Sequence, residues 1–368
     1  MVKIGGSILR DSSSYLRVAK VLPELAIHEP SVVVVSAMKG VTSVLLHLVE
    51  DPDNLGLFKG FIDRTFASLE KVSAGERGYK KIENLQREGF NTLALLRKRR
   101  NPILADRLLS LGERASAVVM EEALKTVGIN AACLTGGEAG IVTDYNYGSA
   151  KPLFEKTLPM VRNRLTKLLS AGVTPVVTGF IGVTPRGSIT TFGRGGSDLT
   201  ATIIGAALSA RTVSLITDVP GIMSSDPEVV PEAVTLPYVS FEEANAMAKV
   251  GIKRFHPLTF KPLRGSGCRV LVRSLESPGG TMISEGVYPP PLKAISVNGV
   301  YVSVVGYGAK DLFNVLRLND RTVSVTIGRN YVRAQICSET EALTLARRLH
   351  SLIVEGLRLV KEGVLRVR

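Results

Sequence analysis

The chain begins with a short apolar strand that runs straight into paired glycines, Val2-Lys3-Ile4 followed by Gly5-Gly6-Ser7. The next apolar run, Ser31-Val32-Val33-Val34-Val35, is β-branched and has no polar alternation. A strand apolar on both faces belongs inside a parallel sheet covered by helices. The helical stretch between the two runs, reaching about residue 27, is the crossover that a parallel pair needs. The pattern then repeats. Residues 129–134, 173–178 and 213–217 read as strands. Helices are expected from near Gly112, over 155–169 and over 199–208, and residues 57–100 read as a helical insertion. Strand alternating with helix at this spacing predicts an α/β domain on a largely parallel sheet.

Ser277-Pro278-Gly279-Gly280 and Pro289-Pro290-Pro291 interrupt that pattern. A proline run continues neither a helix nor a central strand, so it reads as a linker. Beyond it, strands are expected at 299–306, 321–327 and 331–336, with helices at 311–318 and 339–352. This β-α-β-β-α order is ferredoxin-like. Two domains follow, residues 1–286 and residues 292–368.

Of the 368 residues, 45% are hydrophobic, ample for cores of this size. No run of eighteen apolar residues occurs, so no membrane helix is expected. The chain opens without an apolar leader, and the expectation is a cytoplasmic protein. Cys133, Cys268 and Cys337 are far apart and have no histidine at ligand spacing, so neither a metal site nor a disulfide framework is expected. The formal net charge of +13 suits small anionic substrates, and a nucleic-acid partner would rest on that charge alone. The run Arg97-Lys98-Arg99-Arg100 stands without zinc-finger spacing or an aromatic RNA-binding motif, and it reads as a solvated helix end.

Chemistry points to two loops. Gly5-Gly6-Ser7 can bring backbone N–H groups close to a phosphate, with Lys3 adding a point charge, although Gly-Gly at a strand end is commonly a tight turn. Gly193-Arg194-Gly195-Gly196-Ser197-Asp198 opens a helix, and Ser197 or Asp198 alone would read as its N-cap. A guanidinium in a glycine loop also suits capture of a carboxylate. No G-x-x-x-x-G-K-[ST] sequence is present.

Ser36-Ala37-Met38-Lys39-Gly40-Val41-Thr42 resembles the S-A-M-x-G-V-T motif of the aspartate kinases. Gly112-Glu113-Arg114, the stretch from Thr135 to Asp144, and that from Phe192 to Asp198 are similar to further segments of that family. So are Thr217-Asp218-Val219-Pro220-Gly221-Ile222 and Lys253-Arg254-Phe255-His256-Pro257. The motifs come in the family's order and cover about residues 1–285. The resemblance implies a three-layer amino-acid-kinase fold with a C-terminal ACT-like module. It also implies transfer of the ATP γ-phosphoryl group to the side-chain carboxylate of L-aspartate, with Mg²⁺ on the nucleotide and no metal held by protein ligands alone. Lys3 and Asp198 would be catalytic, Asp198 orienting Lys3 and the substrate amine. Thr42, Glu113, Arg194, Gly195, Gly196 and Ser197 would hold aspartate. Lys3, Gly5, Gly6, Ser7, Thr217, Asp218, Met223, Lys253 and Arg254 would line the ATP site.

Taken singly, Glu113 also reads as a first-turn helix acid, Thr42 as an N-cap and Lys253 as a surface lysine. Against the family pattern, Met223 stands where many relatives have an aromatic residue, and Glu228 where an arginine commonly meets the nucleotide phosphates. The rival readings are an acetylglutamate, glutamate or uridylate kinase, or a catalytically weak amino-acid sensor. A homodimer and an amino-acid effector at the C-terminal module are expected, with no nucleic-acid or membrane partner.

Overall fold

The computed structural model describes residues 1–26, 30–252, 255–277, 279–317, 320–362 and 364. By compactness the chain separates into two units, residues 1–218 with 258–268, and residues 219–257 with 269–368.

The first unit opens with β1 (Val2–Ile4), α1 (Ser12–Leu25) and β2 (Val33–Val35). A helical block follows: α2 (Val41–Glu50), α3 (Leu55–Lys71), α4 (Glu76–Lys98) and α5 (Pro102–Thr126). Then come β3 (Ala131–Leu134), the single turn α6 (Gly136–Ala139), α7 (Phe154–Ser170) and β4 (Thr174–Thr178). The hairpin β5 (Ile181–Val183) and β6 (Ile189–Thr191), α8 (Gly196–Ala207) and β7 (Thr212–Ile216) complete it. The central strands lie in the order β3-β4-β2-β1-β7, every neighbouring pair parallel.

The expected three layers are there. Val34 and Val177 pack with Val161 and Leu165 of α7 and with Leu199 and Ile203 of α8. Val33, Val35 and Val176 point the other way by strand alternation, on the side where α5 lies against β2, β3 and β4. All these valines are fully buried. Each contributes about 1.5–3 kcal/mol relative to an exposed side chain, which is why a strand of only three residues persists here.

Some expected boundaries are wrong; the C-terminal helix, for one, runs to Lys361 and not to 352. The helix placed near Gly112 begins ten residues earlier, at Pro102, where Asn101 accepts a hydrogen bond from the Ile103 N–H and proline fills the first turn. Gly112 therefore lies mid-helix. A Cβ there would stand 3.0 Å from Ala37 Cβ and 3.1 Å from Val41 Cγ1, so the glycine lets α5 pack close against the start of α2. Glu113 is a mid-helix residue and not a first-turn acid.

The second unit contains β8 (Tyr238–Ser240), α9 (Phe241–Val250), β9 (Arg269–Arg273) and β10 (Thr281–Ser284). β10 pairs antiparallel with β9 and parallel with β8. Then follow β11 (Ala294–Asn298), β12 (Tyr301–Val305), α10 (Phe313–Arg317), β13 (Thr322–Gly328), β14 (Tyr331–Ile336) and α11 (Glu339–Lys361). An antiparallel sheet runs β11-β12-β14-β13. The expected β-α-β-β-α order holds from β12 onward, and β11 is a strand that the expected pattern lacks. Its signal was Gly299, which at φ +56° opens the two-residue turn Gly299-Val300 between the paired Asn298 and Tyr301.

The linker is fastened at its end. Lys293 is 1% exposed and its Nζ donates to the Tyr288 and Pro289 carbonyls at 2.6 and 3.0 Å. Burial lowers its pKa to about 8, against the pull of the Glu243 carboxylate. Ser224, in the family-divergent segment, is also fixed: its Oγ accepts from the Val234 N–H at 2.9 Å and meets His350 Nε2 at 2.8 Å.

Candidate active site

At the carboxyl ends of the first unit's strands lies a cavity of about 520 Å³, lined by Lys3, Ser36, Thr42, Glu113 and the whole loop from Gly193 to Asp198. Leu46, Leu109, Gly148, Phe180 and Thr191 complete its walls. In open parallel sheets this edge is where ligands bind. Every residue that the resemblance assigned to aspartate, and both assigned to catalysis, is in this one wall set.

Lys3 reaches it from β1, whose neighbours on either side are β2 and β7. Its Nζ forms an ion pair with Asp198 Oδ1 at 2.8 Å, with both side chains close to nine-tenths buried. Asp198 is thus tied to Lys3 and does not cap its helix. The N-cap of α8 is Gly195, at φ +76°, and it supplies no side-chain bond. With Gly195 taking that left-handed turn, α8 starts at Gly196, three residues before the expected start. Of its first three N–H groups, those of Gly196 and Asp198 donate to the Gly193 and Gly195 carbonyls, and that of Ser197, in the cavity wall, has no partner among the described residues and can meet an anion. Thr42 is not a cap either. Gly40 holds that position in α2, which leaves the Thr42 side chain half-buried in the cavity wall.

Glu113 enters from the middle of α5 and is 4% exposed. Its Oε1 accepts from the Ala37 N–H at 3.2 Å, while Oε2 is buried without a partner. Burial raises its pKa to about 8, with the Ala37 N–H pulling the other way. An unpaired carboxylate oxygen in a cavity wall fits an incoming ammonium, which would supply the missing donor and hold the group ionised. Below about pH 8 the empty site carries Glu113 protonated, so a ligand ammonium must displace that proton. Affinity for an amino acid is therefore expected to rise with pH by up to roughly tenfold per unit, then level off above about pH 8. Calorimetry across pH checks this, and Glu113→Gln should flatten the profile.

Arg194 is exposed and has no ion-pair partner among the described residues. It presents a guanidinium to a carboxylate without having to break an existing pair.

The glycine turn after β1 is only partly as expected. Gly5, Gly6 and Ser7 lie next to Lys3 but outside the cavity walls, and the Gly5 N–H donates to the Ile216 carbonyl at 2.9 Å. Gly5 therefore cannot offer its N–H to a phosphate. The N–H groups of Gly6 and Ser7 have no partner among the described residues and remain available. No helix starts here, because α1 is capped five residues on by Asp11. Thr217 and Asp218 follow β7 on the same edge, Thr217 Oγ1 donating to Asp218 Oδ1 at 3.2 Å. Met223 belongs to the second unit and accepts from Thr235 Oγ1 at 3.5 Å. Lys253 and Arg254 lie outside the described residues.

Phe180 was missed by sequence reasoning. It lines the cavity at φ +67°, a strained backbone for a bulky residue, and is held by its N–H to Thr200 Oγ1 and by its carbonyl to the Phe192 N–H. Such strain gathers at functional sites. The glycine beside it misdirects the eye: Gly179 is there because a Cβ would stand 2.6 Å from Ser197 Cβ.

Residues 1–274 match the amino acid kinase family. The chain belongs to that family. Among curated members of the family, the chain is 33% identical over 296 residues to the lysine-sensitive aspartokinase 3 of Escherichia coli, covering 79% of this chain and 65% of that one. It is 37% identical over 183 residues to the aspartokinase of Geobacillus stearothermophilus, covering 50% of this chain and 44% of the other. The chain thus spans about half to two thirds of the length of these relatives. The solved structure of E. coli aspartokinase III in complex with aspartate and ADP superposes with a TM-score of 0.74 at 26% identity, over 94% of this chain and 83% of that one.

Proposed function

We propose that this amino acid kinase phosphorylates the side-chain carboxylate of L-aspartate with ATP, giving 4-phospho-L-aspartate, the first step toward lysine, threonine and methionine. The observation that carries the proposal is a single cavity with complementary groups for an amino acid. It has an unpaired guanidinium at Arg194, a carboxylate oxygen without a donor at Glu113, and the Lys3–Asp198 pair. The relatives' names and the aspartate and ADP in the superposed structure support it.

In this reading Arg194 holds the α-carboxylate and Glu113 the α-ammonium, while Thr42 and Ser197 hydrogen-bond the acceptor. The β-carboxylate, with a pKa near ~4, is already ionised at neutral pH, so no general base is needed. What the protein must supply is positive charge where two anions meet. Lys3 does so, aimed by Asp198, with the N–H groups of Gly6, Ser7 and Ser197. Thr217, Asp218, Met223, Lys253 and Arg254 are assigned to the nucleotide. Mg²⁺ would be carried by the nucleotide phosphates and would neutralise their charge; among the described residues no cluster of three or more His, Cys, Asp or Glu would hold it separately.

Residues 1–286 are read as the kinase domain and 292–368 as an ACT-like module that binds an amino-acid effector or joins two copies in a homodimer. A cytoplasmic location is part of the same proposal; among the described residues no helix is long and apolar enough to cross a membrane.

Hydroxylamine traps acyl phosphates as hydroxamates. With ATP and Mg²⁺, aspartate should give hydroxamate at a rate far above glutamate or acetylglutamate, and UMP should draw no phosphoryl transfer. Turnover of one of those three in preference to aspartate would reject the assignment.

A further inference from the structure

Asp106 lies two turns before Glu113 on α5, and therefore on the same helix face. It is 1% exposed. Its Oδ2 accepts from the Gly148 N–H and the Thr191 N–H, both at 2.9 Å, and its Oδ1 accepts from Thr191 Oγ1 at 2.8 Å. None of these donors is on its own helix. Gly148 and Thr191 both line the cavity, and Thr191 closes β6 just before the loop that carries Arg194. The same two segments meet again where the Ala150 N–H donates to the Thr191 carbonyl at 2.9 Å. Burial raises the pKa of Asp106, and its three donors oppose that rise.

A buried carboxyl that spends every bond on cavity walls is an expensive way to hold a fold together, and an apolar residue would pack α5 as well. We propose that Asp106 is a positioning residue: it fixes the distance between Glu113 on α5 and Arg194 on the following loop, and so sets the length of the amino acid the cavity accepts. This rests on the amino-acid reading of the cavity given above. Phosphate-side groups at Lys3 and Gly6 are on β1 and the turn after it, outside the Asp106 network, so nucleotide binding should be untouched.

The test is steady-state kinetics of the full chain. Asp106→Ala should raise KM for aspartate by roughly tenfold or more while leaving KM for ATP within about twofold, and should erode the preference for aspartate over glutamate. Asp106→Asn should restore most of the loss, because one amide oxygen accepts both backbone N–H groups and the amide NH₂ donates to Thr191 Oγ1 after its hydroxyl turns. A loss of fold would move both KM values or neither. Equal rises in both, a change in kcat alone, or an Asp106→Asn variant as poor as Asp106→Ala would overturn the proposal. Should Asp106→Ala not fold, Thr191→Val decides: a few-fold rise in KM for aspartate alone supports it, and wild-type values refute it. Wild-type turnover across a panel of amino acids is measured first. If the acceptor is another amino acid, the aspartate reading falls and the same KM comparison is made on that acid, so the two failures are told apart.

Discussion

Lys3→Ala is expected to lower kcat by about 10² or more, the size of loss that follows when one preorganised transition-state donor is removed. The reason is specific to this cavity. Charge develops where the terminal phosphate meets a second anion, and the Lys3 ammonium is the one strand-borne cation in the wall set, fixed at 2.8 Å by Asp198. A lysine so held loses little freedom when the reactants arrive, which is why its effect should fall on kcat and not on KM. Lys3→Arg keeps the charge but replaces a compact point donor by a broad planar fork, and should recover only part of the rate. Circular dichroism controls for the Asp198 carboxylate that the alanine variant leaves unpaired. A folded Lys3→Ala enzyme with unaltered kcat would contradict the role.

Arg194→Ala acts on the other half of the reaction. A charge-assisted hydrogen bond contributes about 1.5–3 kcal/mol, so KM for aspartate should rise roughly ten- to a hundredfold. The guanidinium is unpaired beforehand, so its removal strands no buried partner and the protein should stay as stable as before. KM for ATP should hold. An effect seen on ATP alone would place Arg194 on the nucleotide and dismantle the amino-acid half of the site.

The β-branched run Val32 to Val35 is a local signal and fits a doubly covered strand. Lys3 and Arg194 stand out only through the resemblance, because a lysine ahead of Gly5-Gly6 or an arginine within Gly193–Gly196 also fits a tight turn or a helix cap; both line the one cavity. Residues whose role comes from distant packing were not legible. Gly112 looked like a helix start because glycine usually interrupts helices, yet here it admits Ala37 and Val41. Asp106 carries no local mark at all; its partners are 42 and 85 residues away. Phe180, and not its neighbour Gly179, takes the left-handed backbone. β11 follows the prolines closely, and the local mark of its hairpin is Gly299 in the turn Gly299-Val300.

The account depends on a cationic, glycine-bounded cavity in which amino acid and nucleotide meet end to end. A crystal structure with aspartate and a non-hydrolysable ATP analogue tests this most directly. The prediction is an oxygen of the terminal phosphate within about 3 Å of Lys3 Nζ and the aspartate ammonium on Glu113 Oε2. A terminal phosphate bound away from Lys3, or an aspartate seated outside the walls formed by Glu113 and Arg194, would contradict it.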